Sequence, residues 1–195
     1  IVASEITSIE EIEEFEKYVD IIQVGARNMH NYELLKMLGK VDKPILLKRG
    51  FDSTIEEWIC AAEYILLGGN KNVILCERGI RTFNAETRFT LDLSSVSYVK
   101  KITNLPVIVD PSHATGKSAL VKDMALAAIA AGADGLLIEV NNKPSTSMSD
   151  AEQAIKPNEL EEIISRGNRI KEIIDEEGNC KLGIDFDILK FSKEC

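Results

Sequence analysis

The chain alternates short apolar runs with longer stretches of helical periodicity. The apolar runs are rich in β-branched residues and leucine, and they do not alternate with polar residues, a pattern typical of strands buried on both faces of a sheet. Six such runs predict strands: Ile1–Ala3, Asp20–Val24, Pro44–Leu47, Asn72–Cys76, Pro106–Val109 and Gly135–Val140.

Helix patterns lie between these runs. Ser8 with Glu11, and Ser53 with Glu56, have the spacing of a capping box at a helix start. The remaining helices are predicted at residues 31–38, 96–102, 118–131 and 158–176. A repeated strand–helix order predicts a parallel sheet with crossover helices, either an open sheet or a (β/α)8 barrel. Six strands are two fewer than a barrel needs.

Composition narrows the class of protein. The chain has 195 residues and a net charge of −9, which argues against a nucleic-acid-binding surface. No apolar run approaches the ~18 residues that a membrane span requires, so we expect no membrane partner. The four cysteines show no metal-knuckle spacing, and we expect a cytoplasmic protein.

Polar and charged residues stand at the carboxyl ends of the predicted strands, which meet at one rim of a parallel sheet. The cations there are Arg27, Lys48, Arg49, Arg78 and Arg81, although the protein is acidic overall. Side chains alternate along a strand, so Lys48 and Arg49 cannot both point inward. Converging cations suit a phosphorylated or carboxylated substrate. The alternative is that they form ion pairs with acidic residues of the rim.

Three residues from adjacent late elements have the chemistry of metal ligands. His113, Glu139 and Asp150 offer one imidazole and two carboxylates, a mixture that suits Mn, Fe, Co or Zn better than Mg. A single histidine after a strand is more often structural than a ligand, so the residue types alone leave both interpretations open.

Five segments closely resemble the 3-deoxy-D-arabino-heptulosonate 7-phosphate (DAHP) synthases, within the subclass related to 3-deoxy-D-manno-octulosonate 8-phosphate synthase. The segments are QVGARNMHNYELL, KPILLKRG, NVILCERGIRTF, PVIVDPSHATGK and GLLIEV with SDAEQAI. The resemblance implies a (β/α)8 barrel and a metal-dependent transferase. Such an enzyme condenses phosphoenolpyruvate with erythrose 4-phosphate, the first step of the shikimate pathway to chorismate and the aromatic amino acids.

The resemblance also implies roles for individual residues. Lys48, Arg27 and Arg78 would hold phosphoenolpyruvate, and Lys48 would also shuttle a proton. Gly25 and Ala26 would offer backbone donors to the same substrate. His113, Glu139 and Asp150 match three metal ligands, and Asp110 matches a polar residue beside the metal and substrate. Pro111 is expected to end the strand so that the loop can turn.

Two family segments have no counterpart in the sequence: a Gly-Pro-Cys segment with a fourth metal ligand, and a Lys-Pro-Arg-Thr loop. We therefore expect residues 1–165 to form strands three to eight of a barrel that lacks its first two βα units, and residues 166–195 to form the end of the last helix and a tail. We expect this stretch alone to be inactive, and the whole protein to be a homo-oligomer. The alternatives are an octulosonate 8-phosphate synthase or a non-catalytic binding remnant.

Overall fold

The computed structural model describes residues 1–177, in two compact units. The first unit spans residues 1–76 and the second begins at Glu77. The predicted tail after Gly178 lies outside the described residues. No helix in the described range is long and apolar enough to cross a membrane.

The first unit repeats strand and helix in strict order. Its elements are β1 (Ala3–Ile6), α1 (Ile12–Tyr18), β2 (Ile21–Val24), α2 (Tyr32–Leu38), β3 (Ile45–Lys48), α3 (Ile55–Leu67) and β4 (Val73–Glu77), the last of which runs across the unit boundary. Each strand pairs in parallel with the next one along the chain. The predicted parallel α/β class is therefore confirmed in this unit.

The core of the first unit lies between these strands and the helices. All four residues of β3 are buried, whereas three of the four residues of β1 are exposed. Trp58 on α3 is fully buried and its Nε1 donates a hydrogen bond to the carbonyl oxygen of Leu47 at 3.2 Å. The indole thus joins α3 to the centre of the sheet through both packing and a satisfied polar atom.

Among its described residues, the second unit contains four α-helices and two short strands. In chain order they are α4 (Leu93–Ile102), β5 (Val107–Val109), α5 (Pro111–Thr115), α6 (Ser118–Ala130), β6 (Gly135–Leu136) and α7 (Pro157–Glu177). The two strands pair in parallel, with Ile108 opposite Gly135 and Val109 opposite Leu136. A core of Val121, Ala125, Ile155 and Ile163 joins α6 to α7.

Two predicted strands differ from the structure by more than one residue at an end. The first strand was expected at Ile1–Ala3, but Ile1 and Val2 are exposed and the strand is Ala3–Ile6, with Ile6 fully buried. Ser4 and Glu5 therefore lie inside the strand rather than after it. Strands pair through backbone hydrogen bonds, so an exposed strand tolerates polar side chains. The hydrophobic pattern of the sequence places the end of the strand at those polar residues.

The last strand was expected at Gly135–Val140 but ends at Leu136. Beyond that point the chain makes a separate parallel bridge, in which Val140 lies opposite Ile155. The backbone N–H of Ile155 donates to the carbonyl oxygen of Glu139 at 3.0 Å. This bridge fixes the stretch that carries Glu139 against the segment before α7.

Candidate metal centre

The segment after β5 is a short helix, not the loop that the sequence suggested. Asp110 is the N-cap of α5, and its Oδ1 accepts a hydrogen bond from the backbone N–H of His113 at 2.9 Å. Pro111 occupies the first helical turn, where its missing N–H costs nothing. Gly116 ends the helix with a left-handed φ of 66°. The strand does end before Pro111, but the expected loop was wrong, because Pro111 starts α5.

His113 is held by the same carboxylate that caps its helix. Asp110 is fully buried, and its Oδ2 lies 2.7 Å from His113 Nδ1. An ionised carboxylate only accepts hydrogen bonds, so this contact places the ring proton on Nδ1. In the neutral ring of this tautomer, Nε2 carries the lone pair through which imidazole binds a metal.

Two carboxylates face that nitrogen. His113 Nε2 lies 3.7 Å from Glu139 Oε1 and 3.6 Å from Asp150 Oδ2. The backbone N–H of Glu139 donates to Ser112 Oγ at 3.0 Å, which ties this ligand candidate to α5. Asp150 has a left-handed backbone with a φ of 54°, a conformation that aspartate adopts more readily than most residues.

The three side chains fit a bound divalent cation. One donor atom from each lies within 4.8 Å of the others. Donors at ~2.1 Å around a tetrahedral ion are separated by about 3.4 Å, close to the distances measured from His113 Nε2. One imidazole and two carboxylates form a donor set for zinc or a redox-active first-row metal. The structure thus brings together the three residues that the sequence proposed as ligands.

Two predicted substrate cations lie in the first unit. Lys48 is the last residue of β3 and is 5% exposed. Arg27 lies in a single 3-10 turn, Ala26–Asn28, which follows Gly25, and its guanidinium stands 5.3 Å from the centre of the Phe51 ring. Arg49 lies against the start of α3: its Nε donates to the carbonyl oxygen of Ser53 at 3.1 Å, and its guanidinium lies 5.9 Å from the centre of the Trp58 ring.

The third predicted cation, Arg78, lies in the second unit directly after β4. It is 4% exposed and its guanidinium lies over the Phe89 ring at 4.3 Å. Gly79 follows with a φ of 88°, and a Cβ there would lie 3.2 Å from Ala114 Cα. This close approach packs the residue after Arg78 against α5, the helix that carries His113.

Sequence reasoning missed two residues that contact the ligand candidates. Ser112 Oγ accepts from the Glu139 backbone, and Arg88 Nη1 lies 3.4 Å from Asp150 Oδ1. Ser112 stood inside a recognised motif and its hydroxyl was a visible candidate. Arg88 lies in an irregular segment, 62 residues from its partner, and nothing in the local pattern indicates the contact.

Comparison with known proteins places the chain among a group of related enzymes. The DAHP synthetase I family matches residues 1–176. A phospho-2-dehydro-3-deoxyheptonate aldolase of Thermotoga maritima is 43% identical over 173 residues, which are 89% of this chain and 51% of that protein. A 2-dehydro-3-deoxyphosphooctonate aldolase of Geobacter sulfurreducens is 27% identical over 184 residues, covering 89% of this chain and 66% of its own length.

Solved structures agree with the sequence comparison. The crystal structure of the DAHP synthase of Thermotoga maritima superposes with a TM-score of 0.85 at 44% identity, covering 91% of this chain and 51% of that one. A truncated form of the same enzyme gives a TM-score of 0.82 and is covered to 66%. The chain thus spans about half the length of the Thermotoga protein that it resembles.

Proposed function

The chain belongs to the DAHP synthetase I family, and from that premise we propose that it forms part of a DAHP synthase. The reaction joins C3 of phosphoenolpyruvate to the aldehyde carbon of erythrose 4-phosphate. Water adds at C2, and the C–O bond to phosphate breaks, giving DAHP and inorganic phosphate. The observation that carries this proposal is the His113, Glu139 and Asp150 cluster in the second unit.

In this proposal the cluster holds a divalent cation through His113 Nε2, Glu139 Oε1 and Asp150 Oδ2. When bound, such a cation supplies Lewis-acid polarisation of a carbonyl oxygen. Asp110 orients the imidazole through the 2.7 Å contact to Nδ1 and so presents Nε2 to the cation. The identity of the metal, Mn, Fe, Co or Zn, stays open because all of these accept mixed nitrogen and oxygen donors.

Roles in phosphoenolpyruvate binding are proposed on the matching motifs. Lys48 and Arg27 each offer a cation from the first unit and Arg78 offers one from the second. The backbone N–H groups of Gly25 and Ala26 add neutral donors. Low exposure of Lys48 and Arg78 supports such roles, because cations in a poorly hydrated setting interact more strongly with an anionic substrate. Lys48 is also the proposed proton shuttle between the reacting carbons.

We propose the same architecture as the family for the whole protein. Residues 1–165 would be strands three to eight of a (β/α)8 barrel, and residues 166–195 the end of the last helix and a tail. The parallel strand order within each unit and the TM-score of 0.85 support this assignment. A homo-oligomeric state and a cytoplasmic location remain predictions.

The octulosonate synthase is the rival activity, because its representatives also match the chain, though at lower identity. The two reactions differ only in the aldehyde. A seven-carbon product needs a four-carbon aldose phosphate beside the three carbons of phosphoenolpyruvate, and an eight-carbon product needs a pentose 5-phosphate.

Phosphate release from phosphoenolpyruvate therefore tests the proposal in the whole protein, and not in residues 1–195 alone. We expect release with erythrose 4-phosphate and at least about 100-fold lower kcat/KM with a pentose 5-phosphate, equivalent to about 2.7 kcal/mol of discrimination. The reverse preference would assign the octulosonate reaction. Release with neither aldehyde would support the non-catalytic alternative.

A further inference from the structure

The Asp150 carboxylate uses its two oxygens differently. Oδ2 faces His113 Nε2 at 3.6 Å, whereas Oδ1 lies 3.4 Å from Arg88 Nη1. A carboxylate whose second oxygen is held by a guanidinium presents only one oxygen to a cation. The contact with Arg88 therefore affects how many oxygens Asp150 offers to a cation, and not only whether it binds one.

Arg88 is itself fixed by backbone pairing with α5. Its N–H donates to the carbonyl oxygen of Thr115 at 3.1 Å, and the N–H of Phe89 donates to that of Ala114 at 2.8 Å. These bonds place the Arg88 backbone beside the helix that carries His113. The backbone of Arg88 is thus fixed to the helix of His113, while its guanidinium contacts Asp150.

Gly116 leaves room for the side chain of Arg88. A Cβ at Gly116 would lie 2.8 Å from Arg88 Cβ, too close for any other residue without a shift. The left-handed φ of 66° at Gly116 independently favours glycine. The end of α5 is therefore shaped so that the Arg88 stem passes against it.

Gln153 holds the far end of the same side chain. Its Oε1 accepts from Arg88 Nη1 at 3.2 Å, and the residue is 3% exposed. The backbone N–H of Gln153 also donates to the carbonyl oxygen of Asp150 at 3.2 Å. Arg88, Gln153 and Asp150 consequently form a closed set of contacts around the left-handed Asp150 backbone.

We infer that Arg88 is a positioning residue that makes Asp150 a one-oxygen ligand of the metal centre. The inference rests on the proposed metal site. Fold stability does not account for the contact: Arg88 and Asp150 are 41% and 33% exposed, and such ion pairs contribute ~0–1 kcal/mol. Groups that orient metal ligands commonly change affinity by ~10–100-fold.

Binding of Co²⁺ to the full chain, measured together with Tm, separates an effect on the metal ligand from an effect on fold stability. Arg88→Met keeps the length of the stem but removes the donor, and Arg88→Lys keeps a cation with a single donor group. The matched control is Lys122→Met, because Lys122 forms a similar pair with Glu162 at 3.2 Å, with 38% and 37% exposure, away from the centre. Affinity, the visible absorption spectrum of bound Co²⁺ and Tm are measured for each variant.

We expect Arg88→Met to bind Co²⁺ ~10–100-fold more weakly, with an altered spectrum, while its Tm shifts no more than that of the control. Arg88→Lys should recover part of the affinity, and it carries the test if Arg88→Met does not fold. Wild-type affinity and spectrum in the Arg88 variants would overturn the positioning role alone. Failure of the wild-type chain to bind Co²⁺ would overturn the metal centre and this inference together.

Discussion

At the scale of single residues, Asp110 performs two tasks with one buried carboxylate. Oδ1 caps α5 and Oδ2 orients the His113 ring. A fully buried carboxylate is costly unless its oxygens accept hydrogen bonds, and both do so here from one residue. The helix start and the ligand orientation therefore depend on each other, so that α5 cannot shift without moving Nε2.

His113→Ala is expected to abolish activity and to remove most bound divalent metal, because it deletes the only nitrogen donor of the cluster. Glu139→Gln should act in the same direction, since an amide oxygen carries no charge. Elemental analysis after purification measures the metal. His30→Ala is the matched control, because His30 is the other histidine of the chain. Stoichiometric metal in His113→Ala would exclude the ligand role.

Residue types were more predictable than residue geometry. His113, Glu139 and Asp150 were recognisable because ligand-type residues follow consecutive late strands. The left-handed backbone of Asp150 and its contact with Arg88 could not be recognised in the sequence. They depend on where the irregular segment that carries Arg88 packs against α5. Long-range contacts between loops have no local periodicity from which to predict them.

At the scale of elements, α3 begins one residue later than the sequence indicated. The expected capping box of Ser53 with Glu56 is replaced by Thr54 with Glu57. Glu57 Oε2 accepts from the backbone N–H of Thr54 at 2.8 Å, and Thr54 Oγ1 accepts from the N–H of Glu57 at 3.1 Å. Ser53 is buried, and its Oγ has no hydrogen-bond partner among the described residues. Adjacent hydroxyl residues with adjacent glutamates fit the motif equally well, so spacing alone could not choose.

Thr54→Ala should therefore lower the free energy of unfolding by about 1 kcal/mol at neutral pH, the usual effect of losing an N-cap side chain. Ser53→Ala should be neutral or slightly stabilising, because it removes an unsatisfied buried hydroxyl. Urea unfolding followed by circular dichroism compares the two. A larger loss of unfolding free energy in Ser53→Ala than in Thr54→Ala would show that Ser53 is the N-cap, as the sequence suggested.

The same cap gives a pH dependence of known sign. The backbone N–H of Thr54 lowers the pKa of Glu57 below its ordinary value. A lowered folded-state pKa means that the carboxylate stabilises the fold above the ordinary carboxyl pKa of the unfolded chain. This contribution is lost as the pH falls through the lowered pKa, so the wild-type cap should weaken in acid.

The positions of the longer helices were predictable because their periodicity and end residues are local, whereas the five-residue helix α5 was not predicted. Strand ends were less predictable. β1 is displaced towards Ile6, and β6 stops at Leu136 although the apolar run continues to Val140. In both cases the boundary depends on which segment the backbone pairs with, and the hydrophobic pattern does not show that segment.

At the scale of the whole molecule, the structure establishes two parallel α/β units in a chain that spans about half of its Thermotoga relative. Among the described residues, β1 pairs only with β2 and β6 only with β5. Strands with an open side favour pairing with further chain. The inactivity of residues 1–195 by themselves remains a prediction, as does the barrel.

Removal and return of metal tests the central claim, that the His113, Glu139 and Asp150 cluster binds the cation on which the proposed condensation depends. The whole protein, not residues 1–195 alone, is dialysed against a chelator, and phosphate release with phosphoenolpyruvate and erythrose 4-phosphate is then titrated with Mn²⁺. We predict that activity disappears with the metal and returns in proportion to added Mn²⁺, reaching a plateau at one equivalent per chain. Undiminished activity in protein shown to be metal-free would contradict the account.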